Sequence, residues 1–314
     1  MISVIAPIYN EEGSIVELCE RINEAIKDYS IDYEILLIEN GSTDNSLKII
    51  KSLSNSDSRI KYISLSRNFG HQGGLLAGIT FAKGKAVISM DGDLQHPPEI
   101  IPKMIKLWEK GNEIVFTVKS LSTNHKGWRF LPTYIFYKLI NRISIVKLSY
   151  GQSDFRLLDR KVVDVLVSMP ENDIFLRGLV DWVGFQQASI KYQTEPRRFG
   201  DSKFSLYNYA KFALDGMLSF STIPLKLFFW LGISISILCF IYGIFVVFVA
   251  VSHYLDYGFL TLPPGWATIA LSLVFFGSIQ LIGIGLLGEY IGRIFNQVKQ
   301  RPNFIVKESN IDTI

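Results

Sequence analysis

Two long stretches without a charged residue, 227–252 and 266–288, constrain this chain more than any other feature of its sequence. Each stretch exceeds the roughly 20 apolar residues that an α-helix needs to cross a bilayer. The alternative is a helical hairpin buried in a soluble core, but a run this long that is apolar all round is more typical of a membrane span. The sequence therefore predicts two C-terminal transmembrane helices.

The charges that flank these two stretches predict their orientation. The segment between them has no lysine or arginine, whereas basic residues lie on both outer sides. They are Lys211 and Lys226 before the first stretch, and Arg293, Lys299, Arg301 and Lys307 after the second. Because cytoplasmic flanks carry the excess of basic residues, we expect a multi-pass protein of the inner (plasma) membrane, with the N-terminal domain and both termini in the cytoplasm.

Composition argues against two other classes of protein. Hydrophobic residues make up 48% of the 314 residues, and their excess lies in the last third of the chain, as expected for membrane segments. The net charge of +3 gives little support for nucleic-acid binding, and we predict none. The two cysteines, Cys19 and Cys239, lie in a polar and an apolar part of the chain, which argues against a disulfide framework.

Residues 1–118 show strand patterns that alternate with helix patterns over short loops. The predicted strands are 2–6, 33–38, 60–65, 85–90 and 113–118. This alternation is typical of an α/β fold with a mostly parallel, Rossmann-like sheet. We predict an α/β domain over 1–205, an amphipathic juxtamembrane helix over 206–222, a two-helix transmembrane domain over 223–290 and a cytoplasmic tail over 291–314.

The fourth predicted strand ends in a pair of carboxylates, Asp91 and Asp93, separated by Gly92. Side chains two residues apart in an extended chain project from the same face, and the glycine leaves room for a ligand beside the backbone. Mg²⁺ is usually held by one or two carboxylates together with phosphate oxygens. Since open α/β sheets bind ligands at the carboxyl ends of their strands, we predict a metal–diphosphate site here. An aspartate-rich turn without a ligand is the alternative.

Seven short motifs follow one another along the chain. They are SVIAPIYNEE at 3–12, ENGSTD at 39–44, LSRNFG at 65–70, DGDLQ and PPE within 91–99, DFRLLDR at 154–160, FLRGL at 175–179 and SKFS at 202–205. In this order, and with two apolar stretches after them, they resemble the family 2 glycosyltransferases with the GT-A fold. Within that family the chain is most similar to the polyisoprenyl-phosphate glycosyltransferases of the bactoprenol glucosyltransferase type.

The resemblance implies a reaction. A sugar, usually glucose from UDP-glucose, would move with inversion to the phosphate of a polyprenyl (undecaprenyl) lipid on the cytoplasmic face, and the product would serve cell-surface glycan modification such as that of O-antigen. The implied cofactor is Mg²⁺ or Mn²⁺, because a metal neutralises the charge growing on the departing diphosphate. The alternatives are transfer of another sugar or from another nucleotide, and a non-catalytic nucleotide-binding scaffold in the membrane.

The resemblance also places the donor and its metal at named positions. Asp93 matches the aspartate that holds the metal most directly, and Asp91 would assist it through the metal or the ribose, so both are expected to be catalytic. The expected nucleotide-sugar contacts are Pro7, Tyr9, Glu11, Glu39, Asn40, Arg67 and Asp91. Similar proteins usually have an acidic residue at position 40, which accepts a hydrogen bond from uracil. An asparagine amide can both accept and donate, so Asn40 leaves the nucleobase open.

The acceptor side rests on Asp154 and three basic residues. Asp154 matches the family's candidate catalytic carboxylate and would either take a proton from the acceptor phosphate or orient a basic group. An aspartate satisfied by backbone N–H groups at the start of a strand is the alternative. Arg177, Arg198 and Lys203 would bind the acceptor phosphate, although a solvated basic loop also explains the last two. Gln95 and His96 would support the metal site or only shape its turn.

Two rival enzyme classes predict features that the sequence lacks. A processive polysaccharide synthase would show a Q-x-x-R-W motif and more spans, and a nucleotidyltransferase would show a Gly-rich basic loop after the first strand.

The membrane segments also suggest self-association. Small residues at Gly277, Gly283, Gly285 and Gly288 would permit close helix packing, and we expect a homo-oligomer formed through the membrane helices.

Overall fold

The computed structural model describes residues 1–29, 31–119, 151–171, 175–193, 223–255 and 265–311. The chain forms two compact units, one from Met1–Phe220 with Gln300–Ile314 and the other from Ser221–Lys299. The predicted juxtamembrane helix at 206–222 and two predicted phosphate ligands, Arg198 and Lys203, lie outside the described residues.

The first unit is an eight-stranded sheet flanked by helices. In chain order its elements are β1 (Ile2–Ile8), α1 (Ile15–Ile26), β2 (Tyr33–Glu39), α2 (Ser46–Ser56), β3 (Ile60–Leu65), α3 (Gly70–Phe81), β4 (Ala86–Ser89), a 3-10 turn (Pro98–Ile100), α4 (Ile101–Glu109), β5 (Ile114–Lys119), β6 (Gln152–Asp159), α5 (Arg160–Ser168), α6 (Leu176–Trp182), β7 (Gln187–Tyr192) and β8 (Val306–Ser309). The strands lie in the order β7-β5-β6-β4-β1-β2-β3-β8.

Strands β4, β1, β2 and β3 run parallel, and β5 is parallel to β7. The predicted mostly parallel α/β sheet is therefore confirmed. Two strands differ from the simple doubly wound pattern: β6 inserts antiparallel between β4 and β5, and β8 pairs antiparallel with β3 at the edge of the sheet. Phe155, Leu157 and Leu158 of β6 are buried, so this strand belongs to the middle of the sheet.

The core has two layers, one on each face of the sheet. Alternate residues of a strand point to opposite faces, so Val4 and Ala6 of β1 pack with α1, α2 and α4, whereas Ile5 packs with α3, α5 and α6. Residues 34–39 of β2 are all buried, as expected for a strand that is covered on both faces. Because helices cover both faces of the sheet, the carboxyl ends of its strands are the place where a ligand site can form.

The start of α1 does not use the helix cap that its sequence would allow. Ser14 and Glu17 have the spacing of a capping box, but the Ser14 side chain makes no cap hydrogen bond to the helix. Its hydroxyl instead lies 2.7 Å from Gly92 O and 3.0 Å from Glu11 O. A long-range contact has replaced a local one, and it ties α1 to the turn that follows β4.

The chain returns to the sheet after the second apolar helix. Strand β8 pairs antiparallel with β3, Lys51 Nζ lies 2.8 Å from a Glu308 carboxylate oxygen, and Asn310 Oδ1 accepts a hydrogen bond from Tyr62 N–H. Ile311 is buried among residues of α3 and β3. No strand is predictable here from the sequence, because Val306 is the one apolar residue of β8 and the strand lacks an alternating pattern.

We expect Ile311→Ala to lower the free energy of unfolding of the sheet unit by about 2 kcal/mol, because it leaves a cavity in the core. For a unit of this size the drop in Tm is roughly 4–8 °C. Ile305→Ala in the same segment is the control, since the Ile305 side chain is exposed and its loss should cost less than about 0.5 kcal/mol. Thermal unfolding of the full-length protein in detergent measures both. Equal Tm values for the two variants would show that the segment does not dock on the sheet.

The second unit contains α7 (Ile223–Tyr254) and α8 (Trp266–Val298), two helices of 32 and 33 residues. Segments Leu225–Phe245 and Ser272–Val298 are long and apolar enough to cross a membrane. A side chain at Gly283 would overlap the ring of Phe228, so this glycine lets the two helices of one chain approach closely. The second charge-free stretch of the sequence ends at residue 288, and helix α8 continues for ten more residues, to Val298.

Candidate functional site

The register between β4 and β6 brings two predicted site residues together. Ser89 pairs with Arg156 in this antiparallel ladder, and the Ser89 hydroxyl donates to Asp154 O over 2.6 Å. Continuing that register by two residues places Asp91 opposite Asp154. The predicted metal position and the predicted acceptor position therefore meet at the carboxyl end of β4.

The turn after β4 is held from several sides. The Gln95 N–H donates to Asp93 Oδ1 over 3.1 Å, and Leu94 is buried with a φ of 62°. A side chain at Gly92 would lie 2.6 Å from Ile8 Cδ1 and 3.2 Å from Pro7 O. The end of β1 therefore fills the space that a side chain at position 92 would take, so packing also favours a glycine there. Room for a ligand beside the Gly92 backbone stays a prediction.

His96 connects this turn to β6 and β7 beneath the site. The Asp91 N–H donates to His96 Nδ1 over 3.0 Å, so the ring proton lies on Nε2, 2.8 Å from Ser153 Oγ. The Tyr192 hydroxyl bonds the same serine over 3.2 Å, and the imidazole stacks on Phe155. Burial lowers the pKa of His96, so it stays neutral. This geometry shows His96 shaping the turn. Its Nε2 also lies 3.5 Å from Asp91 Oδ2, so support of the metal site stays a prediction.

Asp154 is the centre of a buried ionic cluster. Arg156 Nη2 lies 2.8 Å from Asp154 Oδ1, and Arg177 Nη2 lies 3.1 Å from Oδ2. Burial alone would raise the pKa of Asp154, but the charges of Arg177 and Arg156 and a bond from His71 hold it well below the usual range. The partners of this carboxylate among the described residues are basic side chains, which contradicts the alternative of a strand-start aspartate satisfied by backbone N–H groups.

His71 is a site residue that the sequence analysis missed. It lies in the first turn of α3, and its Nε2 is 3.6 Å from Asp91 Oδ1 and 3.5 Å from Asp154 Oδ2. Partial desolvation of this ring opposes its charge, but a long hydrogen bond to Asp154 and the charges of Asp91 and Asp154 outweigh that effect and raise the pKa of His71 to about 9. The only signal in the sequence was a histidine directly after the LSRNFG motif.

Asn40 and Glu39, two predicted nucleotide contacts, form hydrogen bonds with the loops around the site. Asn40 is buried, its Oδ1 accepts from Phe69 N–H over 3.0 Å, and its Nδ2 donates to Gly70 O over 2.9 Å. Glu39 is buried as well, and its carboxylate accepts bonds from Ser42 N–H and from Ser64 Oγ, the latter over 2.6 Å. In this geometry both side chains brace neighbouring loops.

The other predicted nucleotide positions line the edge of the sheet. Pro7 is in β1 and faces Gly74 of α3, while Tyr9 and Glu11 follow in the half-buried loop after β1. Arg67 is exposed, and its guanidinium lies 4.3 Å from the centre of the Phe69 ring. Because the β1, β2 and β4 ends are adjacent in the sheet, these residues lie at the same edge as Asp91.

The chemistry of the carboxylate pair fits a divalent cation. Asp91 Oδ1 is shielded from water and has no hydrogen-bond partner among the described residues, although an unpaired buried oxygen is costly. No group of three or more metal-ligating side chains occurs in the described part of the chain. Mg²⁺ needs only one or two carboxylates when phosphate oxygens complete its shell, so Asp91 and Asp93 suffice.

Comparison with known proteins shows a family match and several similar proteins. The model of glycosyl transferase family 2 matches residues 3–167. An uncharacterized glycosyltransferase, sll0501 of Synechocystis sp., is 38% identical, with 98% of this chain and 95% of that protein covered. The putative glycosyltransferase CsbB of Bacillus subtilis is 40% identical over 99% and 92%. The bactoprenol glucosyl transferase of Shigella phage SfII is 37% identical over 98% of both chains.

Proposed function

This chain belongs to glycosyl transferase family 2, and we propose that it transfers glucose from UDP-glucose, with inversion, to the phosphate of a polyprenyl (undecaprenyl) lipid. Its sheet has a GT-A-like arrangement. The observation that carries the proposal is the proximity of the Asp91–Asp93 turn to the Asp154–Arg177 cluster, with His71 within 3.6 Å of both Asp91 and Asp154. A metal–diphosphate site at the first would lie beside a phosphate site at the second. The similarity to a bactoprenol glucosyl transferase over almost the whole chain supports the acceptor.

We assign the donor diphosphate to the turn after β4. Mg²⁺ or Mn²⁺, when bound by Asp91 and Asp93, supplies charge stabilisation for the departing UDP. The contacts of Glu39 and Asn40 favour a bracing role, so Pro7, Tyr9, Glu11 and Arg67 remain the proposed contacts of the nucleotide. Asn40 orients the loop that carries Arg67, which makes its effect on the donor indirect.

Asp154 acts in this proposal by orienting basic groups. A general base works best when its pKa is near the operating pH, whereas two arginines hold the pKa of Asp154 well below its usual range. The acceptor is a phosphate that is already ionised, so it needs little help to lose a proton. We therefore propose that Asp154 fixes Arg177 for contact with the acceptor phosphate, and that Arg198 and Lys203 add to that contact.

We propose that α7 and α8 cross the membrane as a pair and that the sheet unit and both termini lie in the cytoplasm. The pairing of β8 with β3 supports the even number of spans, because residues after α8 and residues before α7 share one sheet. The basic flanks support the cytoplasmic side. Gly277, Gly285 and Gly288 have no neighbour within 4 Å where a side chain would extend, in the described part of the chain, so they are our candidates for contact with a second copy.

Purified protein with UDP-glucose, a divalent cation and polyprenyl phosphate is expected to yield a glucosyl lipid, detected by mass spectrometry. The anomeric configuration of the product, read by NMR, tests inversion. A panel of nucleotide-sugars tests the donor, and UDP-glucose should give the largest rise in Tm. If no nucleotide-sugar is transferred with any divalent cation, the proposed enzyme function is wrong.

A further inference from the structure

His71 lies at the boundary between the two phosphate sites. Its Nε2 faces Asp91, a proposed metal ligand, at 3.6 Å and Asp154, the centre of the acceptor cluster, at 3.5 Å. Charge-assisted N–H···O bonds are usually 2.7–2.9 Å long, so both distances are longer than a tight bond. The Nε2–H group is thus directed into the site between two carboxylates without a short bond to either one.

His71 is also the most accessible basic group of the cluster around Asp154. Its side chain is 44% exposed, against 17% for Arg177 and 4% for Arg156. Arg156 is enclosed, with one bond to Asp154 and another to Ser153 O. A phosphate that enters from solvent therefore meets His71 and then Arg177, while Arg156 lies behind Asp154.

The fold holds His71 and Arg177 side by side. Gln72, the next residue of α3, accepts a hydrogen bond from Leu176 N–H over 3.0 Å, which joins the starts of α3 and α6. His71 precedes Gln72 in the chain and Arg177 follows Leu176, so this hydrogen bond brings the two basic residues together. Both side chains contact Asp154 Oδ2. Two donors on separate helices thus converge on one point.

We propose that His71 binds the acceptor phosphate together with Arg177. The inference rests on the proposed function, because it assumes that the second substrate is a phosphate monoester. The donor diphosphate has a metal to offset its charge, whereas on the acceptor side Asp154 cancels part of the charge of the arginines. An N–H donor from His71 supplies a hydrogen bond there and holds the incoming oxygen at the edge of the donor site, where it can reach the sugar.

The test is a comparison of Michaelis constants in the full-length protein. His71→Ala should raise the KM for polyprenyl phosphate by about tenfold or more, the effect of losing one hydrogen bond to a charged group. The KM for UDP-glucose should change less than about threefold, and binding of UDP with Mn²⁺ should be unchanged. His71→Gln, which keeps an N–H donor at similar reach, should recover part of the lipid affinity. Lys83→Gln, which removes an exposed positive charge just past the other end of α3, should behave as wild type.

Each outcome decides the proposal. An unchanged lipid KM, or an equal rise in both constants, would overturn it. If His71→Ala is inactive, binding of polyprenyl phosphate to that variant is measured directly: weakening by about tenfold supports the contact, and wild-type affinity refutes it. A wild-type protein that transfers no sugar would instead contradict the proposed function, and the same direct measurement would still show whether His71 binds a lipid phosphate.

Discussion

Asp93→Asn is expected to reduce sugar transfer by about a thousandfold, the largest effect on activity that we predict for a single residue. Stabilisation of developing charge by one well-placed group is worth two to three orders of magnitude in rate, and a metal adds to this. The asparagine can still accept the hydrogen bond from Gln95 N–H, so the turn should keep its shape. The variant should therefore fold normally, with a Tm close to that of wild type.

Tm measured with and without Mn²⁺ and UDP distinguishes a loss of metal binding from a loss of folding. Mn²⁺ with UDP should raise the Tm of wild type and should fail to raise that of Asp93→Asn. Asp164→Asn is the matched control, since its side chain on α5 is 66% exposed and, among the residues that the structure describes, its carboxylate forms a surface ion pair with Arg160, which contributes little. Normal turnover by Asp93→Asn, with unchanged dependence on the cation, would remove Asp93 from the metal site.

The central sheet and the carboxylate turn could be predicted because their signals are local. Each of β1 to β4 is a short apolar run that ends in a loop, and Asp91 and Asp93 interrupt such a run with charges that a buried strand does not tolerate. The order of strands outside this centre could not be predicted in the same way. Strand β6 separates β4 from β5, and β8 depends on pairing with residues more than 240 positions away in the chain.

The contacts of individual side chains could not be predicted where a long-range partner decides them. Asn40 was predicted to contact the nucleotide, and no pattern in the sequence indicated that its amide would also bond Phe69 N–H and Gly70 O. Gly92 was predicted to leave room for a ligand, and the proximity of Ile8 and Pro7 O gives a second reason for a glycine there. His71 was overlooked because its two carboxylate partners lie 20 or more residues away, and no periodicity in the sequence reports such contacts.

Asp154→Asn is expected to destabilise the sheet unit by about 3–5 kcal/mol, the cost of leaving buried positive charge without its partner. Arg156 is 3% exposed, and the same carboxylate also holds Arg177. For a unit of this size the loss corresponds to a fall in Tm of roughly 6–20 °C. Transfer should fall as well, because Arg177 would lose the group that orients it.

A double variant distinguishes the buried charge from other causes of instability. Replacing both partners of a buried ion pair by groups of similar volume is often neutral, so Asp154→Asn with Arg156→Met should recover most of the lost Tm. Activity should remain low, since Arg177 still lacks its partner. If Asp154→Asn alone is as stable as wild type, the ionic cluster does not hold β6 in place.

The pH dependence gives an independent check on the role of Asp154. Its pKa in the folded protein lies well below its ordinary value, so its contribution to stability is complete above the unfolded pKa of about 4 and declines as the pH falls further. The Tm difference between wild type and Asp154→Asn should thus shrink in solution more acidic than about pH 4. It should also narrow as the pH rises toward about 9, because His71, whose pKa Asp154 helps to raise, then loses its charge. Asp154 would stay ionised throughout the neutral range, and the pH–rate profile should show no acidic limb from this residue there. A limb near neutral pH that Asp154→Asn abolishes would make Asp154 a general base, and the orienting role would then be wrong.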